Sequence, residues 1–200
     1  MPHTPPPRPN LHLHLASCPP LDLHTGFTYW VLTQYNSRYC FAAELDGEIC
    51  AVLTAVRTDN PDPQIYVWQV GVGTAARGLG LAGRLLEHLV AAMRRDRIGS
   101  FQVSIAPSNH SSLQVFTKFA ERSGASLRPV GQLDVKDPYF KVDESETVYE
   151  ASIPSTSLNP AMIAGEAVGA VRVSIYGNLL PGHKLGSTIE PYIILSLIHI

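Results

Sequence analysis

Residues 65–82 read IYVWQVGV GTAARGLGLA, and the order strand, glycine-rich turn, helix start decides the fold. Ile65–Val72 is rich in β-forming residues and apolar apart from Gln69 and Gly71, which predicts a central strand buried on both faces. Beyond the turn, Leu81, Leu85, Leu89 and Met93, with Leu86 and Val90, recur along one helical stripe. Arg94, Arg95 and Arg97 near its end offset the helix dipole, and Gly99 stops it. Between strand and helix stands Val72-Gly-Thr-Ala-Ala-Arg77-Gly78-Leu-Gly80-Leu-Ala82. Small residues at Gly80 and Ala82 let a backbone approach a ligand closely. The helix start aims unpaired N–H groups and its positive dipole end at the same spot, and Arg77 can add a charge-assisted contact. Such a turn suits a diphosphate. It lacks the Lys-Ser/Thr of a P-loop and the third glycine of a dinucleotide-binding turn. The bland reading is a strand-to-helix turn that merely holds glycines; the coincidence of arginine, paired small residues and strand–helix flanks argues against it.

Outward from this point the chain alternates strands and helices. Thr25–Tyr35 reads as a short helix, and Tyr39–Leu45 and Ile49–Arg57 as strands joined at Asp46-Gly47, a hairpin turn signal. Asn60-Pro-Asp-Pro63 is a loop. Phe101–Ala106 is another strand. Pro107-Ser108-Asn109 then opens a helix with Ser or Asn as cap, an apolar face at Leu113, Phe116 and Ala120, and a stop at Gly124. Strands are expected at Leu127–Leu133 and Thr147–Ile153. Residues 1–16 form a tail in which five prolines among the first ten residues forbid helix or central strand. Residues 154–200 are rich in Ser, Pro and Gly without clear periodicity and read as an irregular tail with no assigned role. The folded domain is expected over 17–153.

Composition narrows the function. Of 200 residues 45% are hydrophobic, so one ordinary core can form. With 15 basic and 17 acidic residues the net charge is −2, which offers no field for nucleic acid or an anionic membrane. No run reaches the ~20 apolar residues of a membrane span and the start is not a secretory signal, so the cytoplasm is expected. Three cysteines, Cys18, Cys40 and Cys50, in odd number and without Cys-x-x-Cys spacing, read as small buried hydrophobes. His3, His12 and His14 lack an accompanying Cys or carboxylate, so no metal site is expected.

Arg77-x-x-Gly80-x-Ala82 between strand and helix resembles the acyl-CoA signature of the GNAT superfamily. That resemblance implies an α/β GNAT fold, a mixed central sheet with helices on both faces, and acetyl-CoA as cofactor. It implies contacts to acetyl-CoA from Val70, Val72, Arg77, Gly78, Gly80, Leu81 and Ala82, and from Asn109, whose other role is helix capping. A closer resemblance follows from VWQV at 67–70, the ARGLGLAGRLL run from Ala76 and APSNHSSLQVFTKFA from Ala106, with Cys18-Pro-Pro-Leu-Asp22-Leu and Ala43-Glu-Leu-Asp-Gly47. Over roughly 17–153 these are similar to the L-2,4-diaminobutyrate acetyltransferase family of ectoine synthesis. The chain departs from that family at His24, where the family has Asn, at Phe27, typically Tyr, and at Asp143, where its His-x-x-Glu-x-x-Tyr loses the His but keeps Glu146 and Tyr149.

The reaction so implied is attack of a neutral amine, the γ-amine of L-2,4-diaminobutyrate, on the acetyl thioester. An alkyl ammonium has a pKa near ~10, so a base must take its proton, and a strand N–H at Val70 or a neighbour would hold the oxyanion. Ile65–Val72 contains no carboxylate. The resemblance puts Asp22 and Glu146 at the acceptor pocket, as base or as holders of the substrate's ammonium groups, and makes Trp68 a pocket wall or a core residue. Phe116 occupies the position where many GNAT proteins carry a Tyr acid, which leaves thiolate protonation to water. Two other readings share these residues: a GNAT enzyme for another small amine or polyamine, and an inactive acyl-CoA-binding module. The family also implies a homodimer.

Overall fold

The computed structural model describes residues 26–45, 48–59, 61–137, 142–154 and 173–177. Helix α1 spans Gly26–Tyr35, a 3-10 turn follows at Ser37–Tyr39, and strands β1 (Phe41–Leu45), β2 (Glu48–Thr58) and β3 (Gln64–Val72) come next. A 3-10 turn at Thr74–Ala76 leads into helix α2, Leu81–Arg95. Strand β4 (Ser100–Ile105), helix α3 (His110–Ser123), the hairpin β5 (Ser126–Asp137) and β6 (Val142–Ser152), and β7 (Val173–Gly177) complete the order. The expected sequence of helices and strands is observed, with β5 and β6 each longer than their apolar runs implied.

The strands form one mixed sheet in the order β5-β6-β4-β3-β2-β1-β7. Among the described strands only β3 and β4 run parallel, joined by α2 as crossover. One face is covered by α2 and α3. There Leu81, Leu85, Leu86, Leu89 and Met93 of α2 and Phe116 and Phe119 of α3 pack on Phe41, Leu53, Ile65, Val67, Phe101 and Val103. Phe101 is fully buried, with the rings of Phe116 and Phe119 each 6.1 Å away. The stripe read from the sequence therefore supplies most of the core. On the other face α1 covers a smaller patch: Tyr29 and Leu32 lie over Cys40, Ala42 and Val52, with Trp68 at its margin. Helices flank both faces, as expected.

Two details of register shape everything downstream. Thr54 pairs with Gln69 but Ala55 pairs with Val67, so Trp68 is an extra residue bulged out of β3. The bulge resets the side-chain alternation, and Val70 and Val72 return to the helix-covered side already occupied by Ile65 and Val67. Second, β3 and β4 pair only at Ile65–Phe101 and Tyr66–Gln102. Past those rungs β3 continues to Val72 and β4 to Ile105 without pairing, and the sheet opens between them.

The structure departs from the sequence reading in two places. β3 is not buried on both faces: Ile65, Val67, Gln69 and Gly71 are buried while Tyr66, Trp68, Val70 and Val72 are half-buried. An apolar run with one polar exception does not reveal that a bulge divides it. Within the stretch read as an irregular tail, Val173–Gly177 forms the edge strand, paired antiparallel from Leu45–Val173 to Phe41–Gly177. Five residues of strand in a Ser/Pro/Gly-rich context are too few to register as a period.

Candidate functional site

The glycine-rich turn closes around two left-handed residues, Gly78 at φ 82° and Gly80 at φ 72°. A Cβ at either would meet nothing within 4 Å, so the backbone conformation rather than crowding calls for glycine. Gly80 is the cap of α2, and the first helical closure is Arg84 N–H to the Gly80 carbonyl at 3.2 Å. The amides of Leu81, Ala82 and Gly83 therefore precede the helical ladder, and no acidic residue in the first turn opposes an anion there. Exposed Arg77 donates from Nε to the Val72 carbonyl at 3.4 Å, which keeps its guanidinium beside the end of β3.

These groups line a cavity of about 550 Å³, within the usual range for a small-molecule site. It runs from the open end of β3 to α3, and Val70, Val72, Arg77, Gly78, Gly80, Leu81, Ala82 and Asn109 all line it. Asn109 also caps α3: its Oδ1 accepts from Ser112 N–H at 3.1 Å and from Ser111 Oγ at 2.9 Å. The oxygen is committed to the helix, so a ligand could meet only the amide nitrogen end. Phe116 contributes a hydrocarbon wall. Lys118 and Arg122, one turn apart on α3, add positive charge to the lining, and Arg122 also pairs with Glu87 of α2 at 3.2 Å. Arginine, lysine and helix-terminal amides around one cleft suit a ligand that carries phosphate.

The opposite face of the sheet is built differently. Tyr66 of β3, Ser104 of β4 and Glu146 of β6 stand on three adjacent strands. Ser104 Oγ lies 2.7 Å from the Tyr66 hydroxyl and donates to Glu146 Oε2 at 2.5 Å. Ser104 is 7% exposed and Glu146 4%. Burial, followed in size by smaller opposing effects, raises the Tyr66 phenol above its ordinary value; the Ser104 hydrogen bond lowers it and the Glu146 charge raises it. Trp68 stands edge-on to Tyr66, with centroids 6.4 Å apart, and packs against the α1 cluster. Beside them Tyr29 of α1 donates to the Gln69 side chain at 2.8 Å, which fastens α1 to the bulge.

Glu146 therefore sits in the interior of β6, opposite Leu133, because the strand begins five residues before the expected Thr147. Asp22 and His24 lie outside the described residues. Phe27 is on the exposed side of α1, at 68%. Cys40 and Cys50 are buried free thiols, and burial pushes Cys40 up to about 11, as befits small hydrophobes; Cys18 lies outside the described residues. Among the described residues there is no cluster of metal-ligating side chains and no helix long and apolar enough to cross a membrane. The sequence reading missed Tyr66, Ser104, Lys118 and Arg122. For the first two the available signal was polar residues on one parity of neighbouring strands; for the last two it was a basic pair at i and i+4 on the cavity-lining helix.

A parallel crossover over an opened sheet, with an anion cradle at the start of the crossover helix, defines the class of the protein. The sequence model of the Acetyltransferase (GNAT) family matches residues 10–120, and the chain belongs to that family. It is 34% identical over 131 residues to L-2,4-diaminobutyric acid acetyltransferase of Halomonas elongata, which covers 65% of each chain. It is 34% identical over 114 residues to the enzyme of the same name from Chromohalobacter salexigens, covering 56% of this chain and 59% of that one. The chain thus spans under two thirds of the length of these two relatives. Among solved structures, it resembles diaminobutyrate acetyltransferase from Paenibacillus lautus in complex with L-2,4-diaminobutyric acid and coenzyme A. The TM-score is 0.58 at 24% identity, over 66% of this chain and 81% of that one, and the likeness establishes the GNAT fold.

Proposed function

We propose that the chain transfers the acetyl group of acetyl-CoA to the γ-amine of L-2,4-diaminobutyrate, the acetylation step of ectoine synthesis. The observation that carries the reading is the cavity between the end of β3 and α3, closed at one end by the Arg77–Ala82 cradle. The cradle would take the diphosphate of acetyl-CoA, with Arg77, Lys118 and Arg122 as counter-charges. The pantetheine arm carries two amides, and the edge of β3 beyond Tyr66 offers backbone groups that β4 does not use. The N–H at Val70 would hold the oxyanion.

In this reading Asp22 and Glu146 share the acceptor's two ammonium groups. One holds the α-ammonium and the other takes the γ proton. The amine nitrogen then attacks the thioester carbon, the C–S bond breaks, and CoA leaves as thiolate. The nitrogen gives up its second proton as the amide forms, and the thiolate takes one from water, since Phe116 offers none. Trp68 and Tyr66 would wall the acceptor. The identities to named relatives support the acceptor, and the cavity supports the cofactor. The cytoplasm, where acetyl-CoA is made available, and a homodimer belong to the same reading.

The test is acetyl-CoA consumption by the full chain with L-2,4-diaminobutyrate against a panel of diamines, polyamines and amino acids. Diaminobutyrate should give the highest kcat/KM. A better polyamine would move the chain to another small-amine enzyme. CoA binding by calorimetry without turnover on any amine would make it a binding module.

A further inference from the structure

A serine hydroxyl has one proton to give. At Ser104 that proton goes to Glu146 Oε2, 2.5 Å away, so the hydrogen bond of 2.7 Å between Ser104 and Tyr66 must run from the phenol to the serine oxygen. The three side chains form a directed chain, Tyr66 to Ser104 to Glu146, laid across three neighbouring strands. A carboxylate only 4% exposed is costly unless donors meet its charge. Here the Ser104 hydroxyl donates to it, and that donor is itself polarised by Tyr66.

We propose that Ser104 and Tyr66 are positioning residues for Glu146: the chain of donors holds its carboxylate in one orientation, ready to take a proton from the bound ammonium. The inference rests on the reading of Glu146 at the acceptor site. Proton transfer breaks an N–H bond of the ammonium and forms an O–H bond on Glu146, and no charge needs to leave the chain. Burial keeps the Tyr66 phenol protonated, hence a donor, across neutral pH. On the same face Glu150, four residues along β6, and Arg128 of β5 pair with each other at 2.8 Å, and Gln64 donates to Glu150 at 3.1 Å. β5 sets Leu133 opposite Glu146, β3 adds Tyr66 and Trp68, and α1 contains no charged residue.

Two readouts on the full chain, with CoA present, test this. One is the carbon-13 carboxyl titration of Glu146, assigned by its loss in Glu146→Gln. The other is the acidic limb of kcat/KM for the best acceptor. Removing a donor to the charged form raises a carboxyl pKa. Ser104→Ala should therefore move both readouts upward by about one pH unit and lower kcat by about tenfold. Tyr66→Phe should move them the same way by less. The double variant should match Ser104→Ala alone, because Tyr66 acts through the serine, and Ser104→Thr should restore the wild-type values. If neither readout moves in Ser104→Ala, the inference fails. If the carboxyl titration moves while the kinetic limb stays, the hydrogen-bonded chain is real but Glu146 does not take the proton: the inference fails, while the parent reading stands with Asp22 as the base and Glu146 as the holder of the α-ammonium. Should Ser104→Ala not fold, Tyr66→Phe, which leaves β4 intact, decides alone: no upward movement in either readout overturns the inference.

Discussion

The two faces of the sheet are made from the same strands and serve opposite ends. Under α2 and α3 the inward positions are mainly hydrocarbon, and the rings of Phe101, Phe116 and Phe119 fill the centre. Across the sheet, the alternate residues of β3, β4 and β6 are Tyr66, Ser104 and Glu146, buried among hydrogen bonds. Burying apolar surface contributes roughly 25 cal/mol per Å², whereas a satisfied polar network adds little net stability and a broken one costs several kcal/mol. One face accounts for folding. The other is an arrangement that folding alone would not favour, and it therefore points to chemistry.

The comparison can be broken first at its strongest point. Phe101→Ala should cost ~3–5 kcal/mol of stability by opening a cavity between α2, α3 and the sheet, read from urea unfolding. Loss below ~1 kcal/mol would show that this face is not the main core. Next, Gly80→Asp places a negative charge in the cradle at a left-handed position that Asp tolerates better than most residues. CoA affinity should fall about 100-fold or more, by calorimetry, with the thermal transition still cooperative. Unchanged affinity would remove the cradle from the binding site. On the polar face, Glu146→Gln should leave stability unchanged or raise it by up to ~1 kcal/mol, since an amide keeps an acceptor for Ser104 and a buried charge is gone. A loss of several kcal/mol would make Glu146 a structural residue.

The smallest expected effect concerns His88 on α2. Burial first, then Arg84 and Arg95, hold its imidazole below the ordinary value. The unfolded chain then takes up the proton at a higher pH than the folded one, so stability should be flat above about pH 6.5 and decline as pH falls below it. His88→Leu should flatten that decline in melting experiments across this window; an identical slope would assign the loss to other groups.

How far the molecule could be read in advance follows the same division. The apolar face was legible because its signal is periodic: Leu81, Leu85, Leu89 and Met93 repeat at helix spacing, and Gly78, Gly80 and Asn109 mark turn and cap by backbone chemistry that few residues share. All eight residues expected around the cofactor line one cavity for this reason. The polar face was not legible. Ser104 within FQVSIA is an ordinary strand residue until β3 and β6 are known to flank it. The bulge at Trp68 was hidden because an extra residue leaves no mark in an apolar run, though Gln69, the polar exception beside it, stood at that point. Val173–Gly177 was missed because an edge strand of five residues takes its identity from its partner, β1.

The two rungs between β3 and β4 have a mechanical consequence. Along that line the protein resembles two plates held by a short seam and by the helices that cross above it. A long, amide-bearing molecule slid into the gap would act as mortar, supplying rungs that the chain itself omits. Occupancy would then be felt as stiffness: amide hydrogens on β3 from Val67 to Val72 would exchange more slowly with solvent, and resistance to heat would climb with ligand concentration.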